Sequence, residues 1–165
     1  ATAYDQPTLG GVYKLSAIKG EGGVWEDRLK ISESASKLTL PGVLNVRRYF
    51  NDDGHVAGDM VYDAVSGADS AEIIVDPMDA LRQKPLAGKR YEVLLQPFLR
   101  AGALACGYDL SDVRAAQERA RRSLATLDES QLRMLNPHTY PVGLDRGLHE
   151  RRQALVAELR HVGQR

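Results

Sequence analysis

A single cysteine, Cys106, stands among 165 residues, so an internal disulfide is excluded. Its setting, "AGALACGY", has no histidine or basic neighbour to lower a thiol pKa, and a small buried apolar role is the plain reading. Charge of one sign is equally lacking: 22 Lys and Arg balance 22 Asp and Glu, so no global field draws nucleic acid or a membrane surface. No run approaches the roughly 18 apolar residues of a membrane span, and the first residues lack a charged-then-apolar signal pattern. The expectation is a soluble, cytoplasmic chain without internal repeats, long enough for one domain or a small domain with a helical tail.

The sequence is also poor in catalytic patterns. None of His55, His138, His149 and His161 is spaced i, i+4 from another, which argues against a helical metal site. His149 and His161 fall on an Arg-rich helix, where a solvated face explains them, and His138 lies in "NPHTYPVG", where it fixes a turn. The adjacent carboxylates Asp52-Asp53 and Glu26-Asp27 point to opposite faces of a strand or out of a turn, so turn chemistry is favoured over an acid/base pair. Ser32 and Ser34 have no neighbouring base, and no G-x-S-x-G elbow occurs. Gly10-Gly11 feed a strand rather than a helix, the wrong order for a nucleotide cradle. Their amides and Lys14 on the following strand remain the candidate phosphate contact, beside the simpler reading of a tight turn. Lys37, Arg47 and Arg48 offer either an anion site or, more plainly, a solvated strand face.

What is present is β structure followed by helices. From Gly10 to about Ala105, short apolar runs and alternations are punctuated by Gly, Pro and Asp. "GVYKLSAI" alternates as a half-buried strand, "KGEGGVWED" reads as a loop, and "RLKIS" resumes the strand pattern, which makes a hairpin. Pro41-Gly42 suits the centre of a type II turn. The clearest hairpin joins "VRRYF" to "HVAGDMVYD" through "NDDG", with Asp53-Gly54 supplying positive φ. "EIIVDP" and "YEVLLQPFLRAGALA" add two strands, the second at an edge because Pro97 cannot donate to a ladder. Past Tyr108 the period becomes helical. Ser111 is positioned to cap a helix to Leu127 with Val113, Ala116, Ala120 and Leu124 on one stripe. "DESQLRML" gives a short helix ending at Asn136-Pro137, and "HTYPVGL" is extended. A last helix from about Asp145 to Val162 carries Leu148, Leu155 and Leu159 on one stripe. The fold class is α+β, with a β-rich segment over 1–107 and a helical tail over 108–165.

Taken in order, "PTLGGVYKL" (Pro7 to Leu15), "RLKISE" (Arg28 to Glu33), "KLTLPG" (Lys37 to Gly42), "VRRYF" (Val46 to Phe50), Gly58-Asp59 and "NPHTYPVGL" (Asn136 to Leu144) resemble the C-terminal region of nicotinate phosphoribosyltransferases. The resemblance implies an irregular α/β barrel enzyme, dimeric, with active sites near the subunit boundary. It joins nicotinate to phosphoribosyl pyrophosphate, with Mg2+ and with ATP hydrolysis through a phosphohistidine, to give nicotinate mononucleotide for NAD biosynthesis. It also implies that the catalytic histidine, the pyridine-binding arginine and a Gly-Thr phosphate turn lie upstream of the residues seen here. None of the four histidines sits in a matching motif. The chain is therefore expected to lack catalytic residues and to be inactive alone. It would support the barrel and work with an N-terminal catalytic portion, with Gly10, Gly11 and Lys14 on the phosphate side. The other reading is a free-standing, non-catalytic binding or scaffold domain derived from that fold.

Overall fold

The computed structural model describes residues 13–32, 38–105 and 112–162. The described residues form three sheets and two α-helices, and the last strand of the largest sheet lies between the two helices in sequence. A small hairpin pairs β1 (Ala17–Lys19) with β2 (Trp25–Asp27). It confirms the hairpin expected here but shifts it: Tyr13 to Ser16 precede the first strand, and Arg28 to Ser32, expected to be strand, follow the second. The arginine and lysine of "RLKIS" are replaced in the ladder by Trp25, whose aromatic ring suits a pleated surface better.

The main sheet has six strands: β3 (Leu44–Phe50), β4 (Val56–Asp63), β5 (Ile73–Val75), β6 (Gln83–Pro85), β7 (Arg90–Val93) and β10 (Val142–Asp145). Their order is β6-β5-β10-β4-β3-β7, antiparallel except for the parallel pair β10 and β4. Two-residue strands β8 (Leu99–Arg100) and β9 (Ala103–Leu104) form a separate hairpin after β7. Thus "YEVLLQPFLRAGALA" divides: its first part is the sheet's edge strand, as Pro97 suggested, and Pro97 itself stands between strands. A parallel partner for β4 requires a long crossover. Everything from β5 to residue 141 provides it, so β10 enters between strands already laid down earlier in the sequence.

The positive φ expected of glycine is present at both turn positions. Gly42 has φ +99, as the third position of a type II turn requires, and Val43 N–H donates to the Asp63 carboxylate at 3.2 Å. In the β3–β4 turn, Gly54 has φ +86 and its N–H donates to Asn51 O at 2.9 Å. On one face of the sheet Tyr49, Met60 and Tyr62 form a core with Ile74, Leu86 and Ala57. On β3 and β4 their alternation follows the period of two in the strand registers.

Helix α1 (Val113–Ala125) is capped by Asp112, whose carboxylate accepts from Ala115 N–H at 2.8 Å. Asp112 takes the role expected of Ser111, since a carboxylate is as good a cap and adds a favourable dipole interaction. The helix is amphipathic, yet none of its residues is buried. "DESQLRML" shortens to one 3-10 turn, Glu129–Gln131, held by an Asp128 capping box, and Asn136 takes φ +48 before Pro137. Helix α2 (Arg146–Val162) follows β10 directly. Its buried face is Leu148, His149, Arg152 and Val156, rather than the leucine stripe through Leu155 and Leu159. That face turns towards the sheet because Asp145, at the end of β10, accepts from Leu148 N–H at 3.2 Å and fixes where the helix begins.

Two glycines give opposite tests. A Cβ on Gly143 would lie 2.8 Å from Val75 O and 2.9 Å from Ile74 Cβ, so Gly143→Ala should cost about 2–3 kcal/mol through overpacking. At Gly54 an added Cβ would meet nothing within 4 Å, so Gly54→Val should cost chiefly the backbone strain, about 1–2 kcal/mol. Denaturant melts of the two variants check both values; a Gly143→Ala protein as stable as wild type would mean that β10 does not sit between β5 and β4 as described.

Candidate functional site

Three of the quoted motifs converge on one carboxylate. Asp59 and Arg48 face each other in the β3–β4 register, and Arg48 donates both Nε (2.9 Å) and a terminal nitrogen (2.8 Å) to the two oxygens of Asp59. Tyr140, from "NPHTYPVGL", donates its hydroxyl to Asp59 Oδ1 at 2.9 Å and lies beneath the Arg48 guanidinium. The Asp59 N–H donates to Pro141 O at 2.9 Å. Such a fork-on-fork pair is directional as well as strong. The Asp59 bond, helped by Coulomb attraction and Tyr140, outweighs burial, which works against the charge, and holds the Arg48 guanidinium firmly protonated. Burial first, then the bond to Asp59, pushes the Tyr140 hydroxyl well above its ordinary range. The cluster binds β3, β4 and the approach to β10 into one unit.

Four residues along β4, Asp63 points to the same side as Asp59. Its Oδ1 accepts from Val43 and Val65 N–H, and its Oδ2 from Ser66 Oγ (3.0 Å) and Arg151 (2.9 Å). Burial raises the Asp63 pKa, but these donors, Val65 and Arg151 foremost, outweigh it and leave the carboxyl below its usual value. Arg151 also pairs through Nε with Asp27 at 3.1 Å, which ties the β1–β2 hairpin to α2. Asp145 accepts from Asp69 N–H (2.8 Å) and Leu148 N–H. Asp63, Asp145 and Arg151 line a cavity of about 270 Å³. A second, of about 320 Å³, opens between β6 and Pro141-Val142. It is lined by Lys84, which donates to Ala57 O at 2.6 Å.

On the opposite face Arg47 is stacked between the rings of Tyr62 (4.6 Å) and Tyr91 (4.4 Å). Glu72 accepts from Arg47 and from the Tyr49 hydroxyl. The Tyr49 pKa is pushed up to about 12, first by burial. Glu72 holds this position at φ +44, a strained conformation for a non-glycine residue. The expectation of a solvated basic face at Arg47 and Arg48 is therefore corrected: both are half-buried and committed to partners, because three tyrosines and two carboxylates surround them. Lys37 lies outside the described residues, as do Gly10, Gly11 and Cys106. Lys14 is exposed.

The carboxylates behave as the turn reading expected only in part. Asp53 accepts from His55 N–H within the turn, whereas Asp27 reaches Arg151. At His138 the loop is held by the main chain, whose N–H donates to Ser130 O at 2.9 Å, a bond that does not depend on the imidazole. His149 departs from the solvated face expected of it: it is 8 % exposed, its Nδ1 has no hydrogen-bond partner among the described residues, and Arg152, three positions along, is 4 % exposed. Burial, then the Arg152 charge, lowers its pKa. The helix phase set by Asp145 turns His149 inward.

The oxygens of Asp59, Asp63 and Asp145 are taken by N–H, hydroxyl or guanidinium donors, so these carboxylates do not offer the donor set that Mg2+ or a nucleotide would need. No group of three His, Cys, Asp or Glu is placed for a metal among the described residues. What the residues build is a rigid polar frame around β4.

Comparison with known proteins identifies whose frame it is. Residues 45–152, more than half of the chain, match the family described as "Nicotinate phosphoribosyltransferase C-terminal domain". The chain belongs to the nicotinate phosphoribosyltransferase family. It is 30% identical to the Bacillus subtilis nicotinate phosphoribosyltransferase over 162 residues, covering 96% of this chain and 32% of that protein. It is 34% identical to the human enzyme over 160 residues, 96% of this chain and 28% of that one. The crystal structure of human nicotinic acid phosphoribosyltransferase superposes with a TM-score of 0.58 at 27% identity, covering 84% of this chain and 27% of that chain. The chain thus spans about a third or less of the length of these relatives. Membership accords with the motifs, and Arg48, Asp59 and Tyr140 show what three of them do physically. The Asp59–Asp63 spacing on a strand was a legible signal for two inward carboxylates on one face. Glu72 carried none, since its partners come from strands remote in sequence.

The lowered His149 pKa sets a testable sign. The unfolded chain, with His149 at its ordinary value near 6.5, takes up a proton before the folded one does. The His149 contribution is therefore full above that pH and is lost as pH falls through the window below it. The melting temperature of wild type should drop between pH 7.5 and 5.5, and His149→Gln should flatten that slope. Parallel pH profiles for the two proteins would contradict a buried neutral imidazole.

Proposed function

We propose that this chain serves as the C-terminal portion of a nicotinate phosphoribosyltransferase that makes nicotinate mononucleotide from nicotinate and phosphoribosyl pyrophosphate with ATP hydrolysis, in the cytoplasm. One observation carries the reading: nearly the whole chain aligns, yet it aligns with about a third or less of each relative. The described polar clusters support the same view, because each is consumed in holding strands and helix together. Catalytic residues, and the sites for Mg2+ and ATP, then belong to an N-terminal portion, and the assembled enzyme is a homodimer. In this role the segment 1–107 completes the β structure around the barrel, and 108–165 returns a strand and α2 to the same sheet. Gly10 and Gly11 shape the phosphate-side loop, with Lys14, exposed, as its cation.

Native mass spectrometry joined to an assay for nicotinate mononucleotide tests this. Activity should require a second polypeptide, or additional chain, that carries the N-terminal portion. This 18.1 kDa species alone should be inactive. A lone species that binds ligand but turns nothing over, with no partner even when the N-terminal portion is supplied, would favour a free-standing binding domain instead. In the assembled enzyme, Lys14→Ala should raise KM for phosphoribosyl pyrophosphate by roughly 3- to 10-fold at unchanged melting temperature, as loss of one exposed charge contact would. Unaltered kinetics would reduce Lys14 to a surface residue.

A further inference from the structure

Helix α1 is a helix without a core. A 13-residue helix is marginal in water on its own and ordinarily draws its stability from burying an amphipathic face. Here Val113, Ala116, Ala120 and Leu124 form such a face, and Val113 and Leu124 stay 64 % and 57 % exposed. Helix α2 differs: Leu148 and Val156 are buried against the chain, although Leu159 on its leucine stripe is exposed. The first turn of α1 is nonetheless closed by the Asp112 cap, and its C-terminal end is tied to β4 by Val56 N–H donating to Thr126 O at 2.8 Å. It is held out in one place, with its stripe unused.

Charge describes what fits there. The helix holds four arginines and one glutamate. At 100° per residue, Arg114 flanks the stripe on one side together with Arg121, which pairs with Glu118 at 3.0 Å, and Arg119 flanks it on the other. A second copy of α1 is a poor occupant, because a two-fold contact would oppose arginine with arginine. The complement is an apolar groove with an acidic rim. The helix lies within the matched residues 45–152, so it belongs to the shared domain, while the relatives hold about two-thirds or more of their length outside the match. We infer that α1 is the docking element by which this domain seats on the N-terminal catalytic portion of the enzyme, through such a groove. This rests on the function proposed above and names the surface that performs it.

The experiment co-expresses the chain with the N-terminal portion of the enzyme from the same source as a separate polypeptide, and measures assembly by mass photometry and titration. Val113→Asp and Leu124→Glu should each weaken assembly about tenfold or more, as loss of an interface anchor does. Arg114→Glu with Arg119→Glu should weaken it and flatten its salt dependence. Leu81→Glu, at a fully exposed site on the β5–β6 loop, should leave assembly unchanged, and all variants should melt as wild type does. Wild-type assembly that every α1 variant matches would overturn the docking role and leave the proposed function standing. Failure of wild type itself to assemble would overturn both, and so would a self-dimer that Leu124→Glu dissolves.

Discussion

The sheet depends on one close approach. Strand β10 sits between β5 and β4 with Gly143 pressed against the Val75 carbonyl, nearer than any side chain would permit. Four further features are laid out from that seating. Leu144 joins the buried residues, and Asp145 reaches both Asp69 and the first turn of α2. Tyr140 arrives over Asp59, and α2 is delivered to the sheet with Arg151 beside Asp63. Remove the fit at Gly143 and β4 and β5 each face a gap with unpaired backbone groups, which is costly wherever water is excluded.

The polar contacts are arranged so that burial is repaid locally. Asp59 and Asp63 are mostly removed from solvent, a position that a lone carboxylate would not tolerate. Each is met by an arginine and by further donors, and each arginine comes from a different element, β3 for Asp59 and α2 for Asp63. This division matters more than net strength, since a buried ion pair is a weak source of stability against an apolar alternative. It specifies register: a slip of one residue in β3 would send Arg48 to the wrong face and strand Asp59 without a partner.

Much of this was legible in order along the chain, and less of it across the chain. Local chemistry announced the Asp53-Gly54 hairpin, the Pro41-Gly42 turn, the extended "PVGL" and both helices, because turn residues and helical periods act over a few positions. The starts of β1 and β2 slipped by a few residues where alternating and polar runs gave no sharp stop. The larger departures are tertiary. His149 reads as solvated among arginines, and only the helix phase set by Asp145 turns it inward. Arg47 and Arg48 read as a basic surface until Tyr62, Tyr91, Glu72 and Asp59 are brought beside them by strand pairing. For α1 the periodicity correctly indicated an apolar stripe, while nothing within the described residues covers it. The family motifs identified the chain, yet the role of Asp59 as their meeting point required the sheet.

The late entry of β10 has a consequence for how the chain comes to be folded. Strands β3 to β7 are synthesised well before the strand that joins their two halves, so the hairpin of β3 and β4 and that of β5 and β6 wait as separate pieces with open edges. Pairings of such long sequence separation are slow to form because loop closure precedes their reward. During that interval the β4 and β5 edges are templates for a neighbouring chain. The interval before residues 142–145 reach their slot is therefore the stage at which this topology exposes the chain to mispairing.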